Sequence, residues 1–176
     1  KLDHGGPRDL YVRPADGGDP LNLTADFDLD AGTPRWAPDG DHIYFTTGIG
    51  GATHLFRVSP DEGGVEQVTT GFRRIQGLSF DEDFERMAYT VGYFDRPPEI
   101  WTSDIDGTDE RQLTDVHAEF LAEVSPSAWE RILYESYDGT PIEGFLLYPH
   151  GYAADSGAEY PLIVVNHGGP HSASGY

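Results

Sequence analysis

The sequence predicts a mostly-β chain: the C-terminal blades of a β-propeller, then the N-terminal strands of an α/β domain. Three observations predict it. A four-strand unit recurs about every 45 residues, that repeat stops after Thr114, and a short apolar run without alternation, Leu162-Ile163-Val164-Val165, leads into a glycine-rich loop. Glycine (22) and proline (13) are abundant among the 176 residues, which suits short strands and turns rather than long helices.

The repeat is the strongest of the three. Asp9-Leu10-Tyr11-Val12 runs through Gly17-Gly18 to Leu23-Thr24; His54-Leu55-Phe56-Arg57-Val58 runs through Gly63-Gly64 to Val68-Thr69; Glu99-Ile100-Trp101-Thr102 runs through Asp106-Gly107 to Leu113-Thr114. Each is an apolar strand, a glycine turn and a second strand ending in an apolar residue plus threonine. Leu10, Leu55 and Ile100 are spaced by 45, and so are Thr24, Thr69 and Thr114. Between these hairpins lies another: Trp36 to Phe45 matches Phe80 to Tyr89 at an offset of 44. Its first copy turns at Pro38-Asp39-Gly40, where proline presets φ and glycine accepts positive φ. The second copy has lost both residues, so its turn should be longer or strained. Two hairpins per unit make four strands, the content and period of a propeller blade. Trp36, Phe80 and Trp101 are expected in the blade core.

After Thr114 no further Trp/Phe-x-Pro-Asp-Gly hairpin follows. Arg131 to Ser136 and Ile142 to Pro149 flank Asp138-Gly139 and read as an antiparallel hairpin. The polar stretch 150–159 reads as a loop. Leu162 to Asn166 then reads as a central strand buried on both faces. About two and a half blades are therefore expected over 1–126, and the start of the second domain over 127–176.

Directly after that apolar run stands His167-Gly168-Gly169-Pro170. Acyl transfer creates a negative oxygen in its tetrahedral intermediate. Preorganised backbone N–H groups stabilise it, and losing one costs roughly 3–4 kcal/mol. Glycines permit a sharp turn with no Cβ in the way of a substrate carbonyl, and proline stiffens the exit. In α/β-hydrolases an HGGG-type loop in this position supplies one such donor. The bland alternative is a bare glycine turn.

The blades resemble the Trp-x-Pro-Asp-Gly type of TolB-like proteins and of prolyl oligopeptidase relatives. The Asp-Gly hairpin, the Tyr-Pro-Leu-Ile-Val-Val run and His-Gly-Gly-Pro-His together resemble the opening of the peptidase domain in acylaminoacyl-peptidase-like and dipeptidyl-peptidase-like members of the prolyl oligopeptidase family. The resemblance implies an α/β-hydrolase second domain, hydrolysis of short peptides through a serine acyl-enzyme, and the Gly169 N–H as an oxyanion donor, with His167, Gly168 and Pro170 shaping the loop. It also implies a fragment that ends before the nucleophile. No Gly-x-Ser-x-Gly is present, so the triad is expected elsewhere and this chain alone is expected to be inactive. A non-enzymatic TolB-like binding module and a carboxylesterase of the same fold are the alternatives.

Other candidate sites are weaker. Ser172 and Ser174 lie on the loop's own exit and are poor nucleophile candidates. His167 and His171 have the spacing of helical zinc ligands, but Gly-Gly-Pro between them opposes a helix. Asp104, Asp106 and Asp109 lack the spacing and closing glutamate of a calcium loop, and Asp106-Gly107 reads as a blade turn. Asp26, Asp28 and Asp30 read as solvated loop residues. Neither a metal nor a cofactor is expected.

Charge narrows the partners. With 31 acidic against 11 basic residues the formal net charge is −20, which would repel a nucleic-acid backbone. The acids are scattered, which suits a surface adapted to high salt, where screening removes self-repulsion. There is no cysteine, hence neither a disulfide nor a thiolate zinc site. No apolar run approaches the ~18 residues of a membrane span, and no signal peptide is evident, so a cytoplasmic location is expected. The open strand edges of a few blades predict self-association.

Overall fold

A computed structural model describes residues 6–168 and 173–176. The described residues form twelve strands and one short helix. A two-residue hairpin, β1 (Tyr11–Val12) and β2 (Leu21–Asn22), comes first. Two four-stranded antiparallel blades follow. The first is β3 (Arg35–Trp36), β4 (Ile43–Ile49), β5 (Ala52–Ser59) and β6 (Gly63–Gln67). The second is β7 (Arg74–Phe80), β8 (Arg86–Tyr93), β9 (Arg96–Asp104) and β10 (Arg111–Gln112). A single parallel pairing, Thr53 with Arg74, joins them.

Strand alternation explains why the blades stack. Successive side chains point to opposite faces. Ile43, Phe45, Phe56 and Val58 enter one core cluster with Leu10 and Leu23 of the first hairpin. Tyr44 and Leu55, from the same two strands, enter a second cluster with Ile75, Met87, Tyr89 and Val91 of the second blade. The first blade is thus apolar on both faces because it is sandwiched between neighbours.

The predicted repeat reappears as repeated hydrogen bonding. The N–H groups of Leu10, Leu55 and Ile100 donate to Oγ1 of Thr24, Thr69 and Thr114, each at 2.9 Å. The inner-hairpin turns also match in length. Gly40 has φ 82° and its equivalent Phe84 has φ 55°. The second turn is therefore strained rather than longer, and Phe84 is held there by stacking on Phe80 with centroids 4.5 Å apart. Gly77 (φ 63°) lies in the bulge between Gln76 and Ser79, where the β7–β8 register shifts.

Two expectations need correction. Trp36 is half exposed (50%): β3 is a two-residue strand at the end of the sheet order, with no strand beyond it among the described residues. Phe80 and Trp101 do pack against the second core cluster. Leu162 to Val165 form no strand and are 71–86% exposed. A central strand needs partners on both edges, and the nearest hairpin pairs only with itself.

Beyond the second blade, α1 (Ala118–Glu123) replaces a further blade. The hairpin β11 (Trp129–Glu135) and β12 (Pro141–Leu147) follows, in register from Trp129–Leu147 to Glu135–Pro141. Its turn carries Gly139 at φ 83°, as the Asp-Gly signal predicts. No helix among the described residues is long and apolar enough to cross a membrane.

Candidate active site

The turn joining β4 to β5 is Gly50-Gly51, with Gly50 at φ 58°. It reaches across to β12. A Cβ on Gly50 would lie 2.5 Å from Glu143 Oε2, and one on Gly51 would lie 2.7 Å from Phe145 Cζ. Only glycines let the blade approach so closely. The Gly51 carbonyl accepts the backbone N–H of Tyr176 at 3.0 Å, which ties the C-terminal residues to the blade.

An aromatic cluster closes this junction. Phe94, from the β8–β9 turn, stacks on Phe145 at 5.0 Å and meets Trp129 at 5.0 Å. Tyr176 packs edge-on against Phe145 at 5.1 Å and near Trp129 and Phe72 at 5.7 Å. Such edge and offset contacts suit the aromatic quadrupoles. Arg131 lies over Phe72 at 5.4 Å and donates from Nε to Glu143 Oε1 at 2.7 Å. Burial, and secondarily the nearby Glu143 charge, push the Tyr176 phenol above its ordinary pKa. Its buried hydroxyl has no hydrogen-bond partner among the described residues.

Beside the cluster opens a cleft of about 540 Å³, lined by Gly50, Gly51, Glu143, Phe145, Val165 and His167 among others. Of the glycine-rich loop, His167 lines this cleft. His167 is exposed, with its ring Nδ1 3.4 Å from the Gly168 carbonyl. Ser174 also lines the cleft. Gly169 and Pro170, expected to supply and stiffen the oxyanion loop, lie outside the described residues, as do His171 and Ser172.

No family model matches the chain. The uncharacterized peptidase YuxL of Bacillus subtilis is 31% identical over 143 residues, covering 81% of this chain and 21% of the relative. Dipeptidyl-peptidase 5 of Porphyromonas gingivalis is 23% identical over 163 residues, covering 93% of this chain and 23% of the relative. Over most of its length the chain resembles peptidases of the prolyl oligopeptidase family. Among solved structures, an acylaminoacyl peptidase in complex with Z-Gly-Gly-Phe-chloromethyl ketone superposes with a TM-score of 0.75 at 26% identity, over 96% of this chain and 24% of that one. An acylaminoacyl peptidase of Pyrococcus horikoshii gives 0.66 at 23% identity, over 82% of this chain and 21% of that one. The chain spans about a fifth of the length of the curated relatives it matches.

Sequence reasoning found the start of the loop and missed what lies around His167. Gly50-Gly51, Phe94 and Glu143 carry no motif, because the contacts between them cross some 50 to 120 positions of chain. A paired glycine in a hairpin whose counterpart at 94–95 is Phe-Asp was the available signal. The acidic candidates have structural partners instead. Asp104 and Asp109 both pair with Arg86, Asp106 accepts from Thr108 in the blade turn, and Asp30 accepts from the Arg8 N–H at 2.7 Å rather than being merely solvated. Among the described residues no three His, Asp or Glu side chains are grouped to hold a metal ion.

Proposed function

We propose that this chain is the junction between propeller (1–126) and α/β-hydrolase domain (127–176) of a serine peptidase that hydrolyses short peptides through an acyl-enzyme. The observation that carries the reading is the position of His167 in the cleft between the Gly50-Gly51 turn and β12. That places the start of the glycine loop where blade and hairpin meet. The Gly169 N–H receives the developing oxyanion, while His167, Gly168 and Pro170 hold the loop's shape. A serine on a Gly-x-Ser-x-Gly turn, which this sequence does not contain, attacks the carbonyl and transfers its proton to a histidine base. The histidine gives that proton to the leaving amine as the peptide C–N bond breaks, and water, deprotonated by the same histidine, then hydrolyses the acyl-enzyme and frees the serine. The blades restrict access, so short peptides are admitted and folded proteins are not.

Fluorophosphonate labelling tests this. The 176-residue chain should take no label. The same chain continued in frame through a Gly-x-Ser-x-Gly segment should take one, on that serine, and should release the leaving group of short peptide substrates. An unlabelled longer polypeptide would favour a TolB-like binding module. A labelled one that cleaves esters and not peptides would favour a carboxylesterase.

A further inference from the structure

A second cavity, of about 490 Å³, lies where the two blades join, away from the cleft beside His167. Its polar lining is Thr33, Arg35, Thr46, Thr53, Arg74 and Gln76, and it contains no carboxylate. That is unusual in this chain, which has nearly three acidic residues for every basic one. Arg8, Arg57, Arg73, Arg86, Arg96 and Arg131 are each held by an Asp or Glu. Among the described residues Arg13, Arg35, Arg74 and Arg111 form no ion pair, and of these the exposed Arg35 and the partly buried Arg74 both line this one cavity. Arg74 Nε is sealed from solvent and has no hydrogen-bond partner among the described residues. A guanidinium left without an acceptor in a partly buried place is costly and has a planar donor fork that matches a carboxylate.

We infer that this inter-blade cavity binds the carboxylate of a short peptide between Arg35 and Arg74. The two cations supply the charge, and Thr33, Thr53 and Gln76 supply neutral donors and acceptors suited to a peptide backbone. The cavity's volume suits a ligand of a few residues. The chain's net charge of −20 repels an anion overall, so a carboxylate approaching this face finds a local reversal of sign. The choice of a peptide rests on the peptidase reading; the site itself rests on the cavity alone.

Calorimetric titration of the whole chain tests it with acetyl-trialanine bearing a free C-terminal carboxylate. Its C-terminal amide and the amidated peptide acetyl-Ala-Glu-Ala serve as comparisons. The free acid should bind saturably and the trialanine amide should not. If the Glu peptide also binds, a side-chain carboxylate is accepted; if it does not, the site reads a chain terminus. Arg35→Gln and Arg74→Gln should each weaken binding about tenfold or more. Arg111→Gln removes the same charge from an exposed strand outside the cavity and should leave it unchanged. Gln76→Glu keeps both arginines and supplies an internal carboxylate, so it should abolish binding even if an arginine variant fails to fold. Equal binding of free acid and amide, equal loss in Arg111→Gln and Arg74→Gln, or undiminished binding in Gln76→Glu would overturn the proposal. The labelling experiment reads a serine outside this chain, so the two readings fail separately.

Discussion

The Leu55 N–H donates to Thr69 Oγ1 at 2.9 Å, and the residue before Leu55 completes the unit, with His54 Nδ1 lying 3.4 Å from the same hydroxyl. In the flanking repeats the Thr24 and Thr114 hydroxyls donate to Asp9 and Glu99. One threonine thus accepts a backbone proton and passes its own to whichever acceptor side chain the blade carries.

Thr69 is almost fully buried. Thr69→Val keeps the shape and leaves the Leu55 N–H without a partner, so it should lower stability by about 2 kcal/mol. Thr69→Ser keeps the bond and loses a methyl, so it should cost about half as much. Urea unfolding followed by tryptophan fluorescence compares them. A Thr69→Val variant as stable as the parent chain would show that the hydroxyl does not matter.

Gly40 and Phe84 occupy equivalent turn positions at positive φ. No atom lies within 4 Å of where a Gly40 Cβ would stand. Gly40→Ala therefore tests backbone conformation alone and should cost about 1 kcal/mol. Phe84→Gly relieves a similar strain but loses the stack on Phe80 and the contact with Tyr44. Burial of a phenylalanine contributes about 2 kcal/mol, so the exchange should still destabilise, by about 1 kcal/mol net in chemical denaturation. A stabilised Phe84→Gly variant would show that strain outweighs packing.

The blades were legible because their signals are local. The threonine spacing, the glycine turns and the strand alternation each lie within one unit, and the Asp138-Gly139 hairpin is equally self-contained. Leu162 to Val165 misled for the opposite reason. Their apolarity calls for burial, but burial needs strands and helices contributed by other segments, which the described residues do not offer. Trp36 failed likewise, since a tryptophan on a two-residue edge strand is covered only if a neighbour is present. In the site, His167 and Gly168 were readable as a motif, whereas Arg35 and Arg74 are 39 positions apart and become neighbours of one cavity only through the Thr53–Arg74 pairing.

Glu99 accepts from the Thr114 hydroxyl and, at Oε1, from the His117 N–H at 3.1 Å and the His117 ring at 2.9 Å. The Thr114 bond first, then the His117 bonds, lower its pKa from 4.5 to about 2. A carboxyl with a depressed folded pKa adds stability above its unfolded pKa and loses it as pH falls through the folded one. The contribution should therefore fade from about pH 4.5 down to about pH 2. Glu99→Gln should flatten the acid limb of the stability profile in that window. An unchanged slope in acid-unfolding titrations would show that other carboxylates control it.

Gly51 has no positive φ, so Gly51→Ala introduces no backbone strain and tests space alone. Its new Cβ would press on the Phe145 ring at 2.7 Å and on Gly175 Cα at 3.0 Å. Contacts below 3.0 Å cannot persist, and overpacking of this kind costs about 1–3 kcal/mol unless the neighbours move. The element free to move is the C-terminal segment, which the Tyr176–Gly51 hydrogen bond holds. Its release would expose Trp129, whose ring meets both Phe145 and Tyr176. With Trp36 and Trp101 replaced by phenylalanine, Trp129 emission should shift to longer wavelength in Gly51→Ala. Gly48→Ala, whose Cβ would meet only the Ala52 carbonyl at 3.9 Å, is the control on the same hairpin. A Gly51→Ala spectrum matching the control would mean that hairpin and blade are not pressed together at this glycine, and the cleft that positions His167 would lose its floor.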